Sequence, residues 1–200
     1  MSSILTTKLI TFYIVFAFIL NYSLAHLPTL RNHTIFYSFF QFVVFGIPAL
    51  TFIKKTKQSF SNVTYLTYLR MSLIGILLIT AQILIFSLFC KVLFEMQSRF
   101  NLLPLLSMLV FSPIFEELFF RGICLQHILK LYPNNQRLVV FLSALIFAIF
   151  HINIYSMLFS LLPGILLSFI MIKFNSLKAC IAVHSIMNLT SILARILYFI

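Results

Sequence analysis

Leu109-Val-Phe-Ser-Pro-Ile-Phe-Glu116-Glu117-Leu-Phe-Phe-Arg121-Gly-Ile-Cys-Leu-Gln-His-Ile128 is the stretch that decides how the rest of the chain is read. It carries two of the three acidic residues, and the sequence contains no Asp. Both acids sit inside an apolar run. A carboxylate at the centre of a membrane helix costs about 2.5 kcal/mol or more. A chain nearly free of acid that places two side by side there uses them for something. The third acid, Glu95, lies in a polar connection and reads as an ordinary loop charge.

Composition makes the surrounding chain a membrane protein. Hydrophobic residues are 62% and charged residues 8%, against about 25% charge in a soluble domain. The expected fold class is all-α, a polytopic transmembrane helical bundle with an internal polar cavity. The length accommodates about seven to eight spans of ~20 residues. The net charge of +11 raises nucleic acid as a partner. That reading is rejected, because most basic residues fall between apolar runs, where they act as topology signals. Cys90, Cys124 and Cys180 have no close spacing and fit neither a disulfide framework nor a zinc ribbon. Cys124 lies near the acidic pair, yet a small buried hydrophobe is preferred over a thiol nucleophile.

In chain order, residues 5–25 form the first apolar segment. Lys8 and the small residues near Ala25 resemble a secretory signal, but an uncleaved first helix is expected. A polar turn at 27–33 precedes a second span over 35–53, and Lys54, Lys55, Lys57 and Arg70 bound the most basic linker. Residues 71–94 make the third span. The fourth segment, about 101–130, is ~45 Å long as a helix, more than the hydrocarbon core of a bilayer. Its last third, with Arg121, Gln126, His127 and Lys130, is expected to leave the membrane at its end. Pro113 predicts a kink, or a restart with Ser112 as N-cap, one turn before Glu116. Residues 138–152 and 155–172 read as two spans broken at His151-Ile-Asn153, with a kink at Pro163-Gly164, and 179–199 as the last. The chain divides into N-terminal transmembrane helices, 1–100, and a catalytic core, 101–200, within one membrane domain. With the N-terminus cytoplasmic, nine loop cations fall inside and four outside, which favours that orientation.

Three polar sets do not belong in a bilayer. Glu117 and Arg121 are four apart in the favoured acid-then-base order and are expected to pair on one helix face. Glu116 points about 100° away and has no sequence-local cation, which suits a general base or acid. Phe147 and His151 are four apart, as are His184 and Asn188. His26, His33 and His127 read as surface residues. Taken singly, each set has a structural explanation as an ion pair or an interhelical hydrogen bond. Together they form a catalytic cluster if their helices meet.

Glu116-Glu117-x-x-x-Arg121, Phe147-x-x-x-His151 and His184-x-x-x-Asn188 resemble, in order, the three motifs of the CPBP family of intramembrane proteases, the CAAX-protease and bacteriocin-processing (Abi) group. The resemblance covers roughly residues 100–200. It implies peptide-bond hydrolysis near the cytoplasmic side, with Glu116 and His151 activating water and His184 and Asn188 holding the oxyanion. Glu117, Arg121 and Phe147 would support the site. The expected partners are a peptide or membrane-protein substrate and the lipid bilayer, and the expected location is a bacterial cell membrane. The family has been described as metal-dependent, and Glu116, His151 and His184 offer a His2Glu set for zinc. With no His-Glu-x-x-His motif, and with Asn188 a poor zinc ligand, a metal-free reaction without cofactor is preferred. Two other functions compete. One is a non-catalytic immunity or regulatory protein that binds a partner. The other is a small transporter using Glu116 as a proton site.

Overall fold

The structure, a computed structural model, describes residues 2–25, 42–48, 63–89 and 105–199. Among these residues every long element is a helix, which bears out the all-α expectation. The helices are α1 (Ser2–Ala25), α2 (Tyr65–Phe89), α3 (Ser112–Phe119), α4 (Leu125–Leu131), α5 (Gln136–Ile149), α6 (Ile154–Phe174) and α7 (Leu177–Phe199). Short π-helical turns lie at Phe42–Gly46, Ser107–Phe111 and Phe120–Cys124. Most of the expected second span, the Lys54-Lys55-Lys57 linker, the connection around Glu95, and His26, His33 and Cys90 lie outside the described residues.

Among the described residues three helices are long and apolar enough to cross a membrane, over Tyr65–Ile85, Ile154–Phe174 and Leu177–Ala194. Their exteriors fit a lipid solvent. On α1, Leu9, Phe12, Phe16 and Ile19 recur at helical spacing and are all at least half exposed, while Ala17 and Asn21 are buried. On α2, Leu66, Leu69, Leu73 and Leu77 face out, while Ser72, Ile79 and Gln82 face in. Apolar side chains outside and polar ones inside is the arrangement a bilayer selects, because lipid gives an inward polar group no competitor for its partner.

The expected fourth segment forms one helical path from 105 to 131, but not in the manner predicted at Pro113. Ser112 does not cap a restarted helix. Phe111 and Ser112 keep right-handed helical dihedrals, and no side chain caps the start of α3. The missing proline N–H is absorbed upstream by the π turn, where the Ser112 N–H bonds to the Ser107 carbonyl. A second π turn follows the acids and contains Arg121.

Three prolines share one consequence. Pro163 has no N–H to give the Phe159 carbonyl, and Gln82 Nε2 of α2 donates to that oxygen at 3.0 Å. Pro113 cannot serve the Met108 carbonyl in the π register, and Asn188 Nδ2 of α7 donates there at 2.8 Å. Pro48 cannot serve Val44 in the α register, and the Tyr13 hydroxyl of α1 donates to the Val44 carbonyl. In hydrocarbon such carbonyls must find donors on neighbouring helices, so each proline becomes a docking point for another segment.

The break between α5 and α6 falls where the sequence places it. Ile152 has φ 63°, and Asn153 caps α6 by accepting from the Tyr155 N–H at 2.9 Å. The two helices then run antiparallel. Ser168 donates to Ser143 at 3.1 Å, and a Cβ on Gly164 would meet Ala144 and Phe147 at about the same height, 3.1 Å away. That close approach needs glycine. Phe45, Phe119, Phe120, Phe147 and Phe150 form an aromatic core, with Phe120 and Phe147 rings edge-to-face at 5.0 Å. Cys124 and Cys180 are fully buried, as expected of small hydrophobes. His127 departs from its surface reading. It is 4% exposed, and its Nε2 lies 2.9 Å from the Thr11 hydroxyl. The polar end of the path is covered by α1, which the local sequence of α4 does not reveal.

Candidate active site

The central element is Glu117. It is fully buried on α3, one turn before Arg121 in the π turn. Arg121 Nη1 donates to Glu117 Oε1 at 3.0 Å, so the expected pair forms. Arg121, also fully buried, donates through Nη2 to the Gly164 carbonyl at 3.2 Å and lies 4.5 Å from the centroid of Phe147. The same Glu117 oxygen takes a bond from another helix, since His184 Nδ1 of α7 is 2.8 Å away. The second oxygen, Oε2, is buried without a hydrogen-bond partner among the described residues.

Glu116 is turned away from this pair, as its one-residue offset requires, and its side chain is 16% exposed. It is not isolated. His184 Nε2 lies 3.9 Å from Glu116 Oε2. His184 therefore spans the two acids, one nitrogen to each. The sequence reading divides the acids and expects His184 to meet Glu116, but gives no sign of its bond to Glu117. The 67-residue separation of Glu117 and His184 gives no local signal of their contact.

His151 sits in the turn after α5. Its Nδ1 lies 2.9 Å from the Phe147 carbonyl, which fixes Nδ1 as donor and leaves Nε2 as acceptor in the neutral ring. Glu116 and His184 are both near enough to act electrostatically on His151. Phe147 joins the parts, meeting the His151 ring at 4.8 Å and the His184 ring at 5.8 Å, both edge-to-face. Its role was legible only as a motif position. In the structure it is the surface on which both imidazoles and the guanidinium rest.

His151, His184 and Asn188 line one cavity of about 190 Å³, together with Phe147, Ser156, Ser160 and apolar side chains of α2, α6 and α7. Glu116 is not one of the lining side chains and stands beside His184 instead. Asn188 contributes an amide whose one assigned bond goes to Met108. The sequence missed Ser156 and Ser160, for which no motif exists, and the Gly164 carbonyl, for which Pro163-Gly164 was the available signal. Among the described residues no three His, Cys, Asp or Glu side chains are grouped to hold a metal ion.

Residues 97–190 match the family model described as Rce1-like, type II CAAX prenyl endopeptidase Rce1-like. Over these residues, just under half of the chain, the sequence is similar to that family. All three motifs read from the sequence fall inside the Rce1-like match, and the CAAX-protease resemblance is shown at that level. No curated protein and no solved structure matches the chain. The Rce1-like segment together with the three long apolar helices makes this an integral-membrane protein.

Proposed function

We propose that the chain is an intramembrane endopeptidase that hydrolyses a peptide bond in a membrane-associated peptide or protein. The observation that carries this reading is the place of His184, bonded to Glu117 through Nδ1, beside Glu116 through Nε2, and on the wall of a cavity shared with His151 and Asn188. The match of residues 97–190 to the Rce1-like family model supports peptide-bond chemistry.

Glu116 and the Nε2 of His151 take the proton of a water as its oxygen attacks the scissile carbonyl. The negative charge that develops on the carbonyl oxygen needs donors. His184 gives Nδ1–H to Glu117, so its Nε2 donates only when the ring carries both protons. Arg121 donates to the same Glu117 oxygen and holds the carboxyl in place, which favours that orientation of the ring. Asn188 has a second amide hydrogen beyond the one given to Met108, and that bond holds the amide in place. Collapse of the tetrahedral intermediate breaks the C–N bond, and the proton taken from water passes to the leaving amine. The products are a carboxylate and an amine. No step uses a metal or cofactor.

Glu117, Arg121 and Phe147 act as positioning residues. A bacterial membrane and a cytoplasmic N-terminus extend this reading, the second from the nine-to-four distribution of cations.

The test is proteolysis by purified protein in liposomes against a membrane-peptide library, with Glu116→Ala, His151→Ala and His184→Ala compared at equal folded fraction. Loss of about 10²-fold or more in each is expected. Cleavage that persists at the wild-type rate in all three overturns the reading and leaves a partner-binding protein.

A further inference from the structure

On the far side of the α5–α6 pair from the candidate active site lies a groove of about 510 Å³ that the proposed reaction does not use. Val140 and Phe141 of α5 and Ile165, Phe169 and Ile172 of α6 form its walls, and Gln136, Arg137 and Lys173 close one end. Phe141 and Phe169 are 50% and 44% exposed. From Ile165 to Lys173 the groove runs ~12 Å along the helix. Because α5 and α6 are antiparallel, Arg137 at the start of one and Lys173 at the end of the other come to the same end. That end lies where the chain leaves the apolar run, next to the exposed loop at residues 132–135 and the turn at Asn175.

Among the described residues the two cations meet no carboxylate. Among the described residues the acids are Glu116 and Glu117, and both are engaged around His184 and Arg121. Arg137 is exposed. Lys173, also exposed, lies over the rings of Phe169 and Phe174, at 5.4 and 5.5 Å, and Phe169 is part of the groove wall. Lys178, at the start of α7, is not among the side chains that line the groove. An apolar channel in a lipid-facing helix pair, ending in paired cations at the membrane boundary, matches one occupant by both shape and charge.

We propose that this groove binds an anionic phospholipid, with the headgroup phosphate held between Arg137 and Lys173 and an acyl chain along Val140, Phe141, Ile165, Phe169 and Ile172. Basic pockets between helices at a membrane surface hold acidic headgroups in this manner. A neutral phospholipid carries an ammonium that the two cations repel, and a soluble phosphate has nothing to place against the apolar walls. The site is independent of the proteolytic activity, so either can fail without the other.

Purified full-length protein is titrated with phosphatidylglycerol or with phosphatidylcholine of the same chains, and bound lipid is counted by native mass spectrometry. A phosphatidylglycerol carrying a diazirine on its acyl chain maps the contact. Retention of phosphatidylglycerol over phosphatidylcholine is expected, with label on the α5 and α6 groove residues. Inorganic phosphate should not compete. At roughly five-fold per cation, Arg137→Ala with Lys173→Ala should weaken binding about 30-fold. Arg137→Lys with Lys173→Arg should restore it, and Lys178→Ala should leave it nearly unchanged. Equal retention of the two lipids, label elsewhere, or full binding by the double alanine variant overturns the proposal. If the double variant does not fold, the wild-type label map and its competition by the two lipids decide the matter.

Discussion

One oxygen of Glu117 lies 2.8 Å from Nδ1 of His184, across 67 residues of sequence, while it also accepts from Arg121 at 3.0 Å. This contact ties α3 to α7 through a group that lipid cannot solvate. It also orients the imidazole that faces Glu116. The acid that looked structural in the sequence thus governs the histidine that looks chemical.

Removing one member of the buried Glu117–Arg121 pair should do more harm than removing both. Arg121→Met leaves an uncompensated carboxylate, a change worth ~3–5 kcal/mol in buried pairs. Glu117→Leu with Arg121→Met removes both charges and should recover most of that loss. Activity should not return with stability, because His184 has lost the acceptor that orients Nδ1. Unfolding in mixed micelles gives the first quantity, and cleavage at equal folded fraction gives the second. A double variant no more stable than Arg121→Met would show that the pair is not the seat of the cost.

Gln82 should matter only because residue 163 is proline. Gln82→Leu removes the donor to the Phe159 carbonyl and is expected to destabilise α2 against α6. Pro163→Ala restores a backbone N–H for that carbonyl, so Gln82→Leu should cost less in the alanine background. Side-chain hydrogen bonds between membrane helices average ~0.6 kcal/mol and reach ~1.7 kcal/mol, which sets the expected coupling in a double-mutant cycle. Additive effects of the two substitutions would mean that Gln82 acts elsewhere.

The parts of this structure that are legible in the sequence rest on short-range rules. Pairing of Glu117 with Arg121 follows from four-residue spacing, the break at His151 to Asn153 from turn residues, and burial of Cys124 from its apolar neighbours. What is not legible depends on which helix faces which. The burial of His127 requires Thr11, 116 residues earlier. The bond from Asn188 to Met108 requires α7 to lie against the π turn at Ser107–Phe111. Proline is the partial exception. Each internal proline announces a carbonyl that needs a donor, but only the fold says that Gln82, Asn188 and Tyr13 supply it. The same limit applies to His184, whose pairing with Asn188 was visible and whose pairing with Glu117 was not.

Asn188 has two separable tasks, and proline chemistry separates them. Asn188→Leu removes the donor to the Met108 carbonyl and the amide hydrogen available to the cavity. Pro113→Ala restores a backbone N–H that can serve Met108 in the π register. In the Pro113→Ala background, Asn188→Leu should therefore be nearly neutral for stability yet still reduce cleavage, by ~10²-fold or more if the amide holds an oxyanion. Full recovery of cleavage in the double variant would reduce Asn188 to a helix-docking residue.

Gly164 should be the most sensitive small residue in the bundle. A methyl there meets Ala144 Cα at 3.1 Å and Phe147 Cδ1 at 3.1 Å. The first contact is backbone and cannot rotate away. Gly164→Ala must then spread α5 from α6 or push the Phe147 ring. That ring supports Arg121, His151 and His184 together, so a shift of a few tenths of an ångström reaches every imidazole of the site. Overpacking of this kind costs about 1–3 kcal/mol. Ala144→Gly in the same chain removes the Cβ opposite, but not the Ala144 Cα or the Phe147 ring. Stability should return in part, and cleavage should stay low because Phe147 remains displaced. Difference measurements on unfolding and on cleavage, taken from the same preparations, distinguish this from simple helix separation, in which both would recover together.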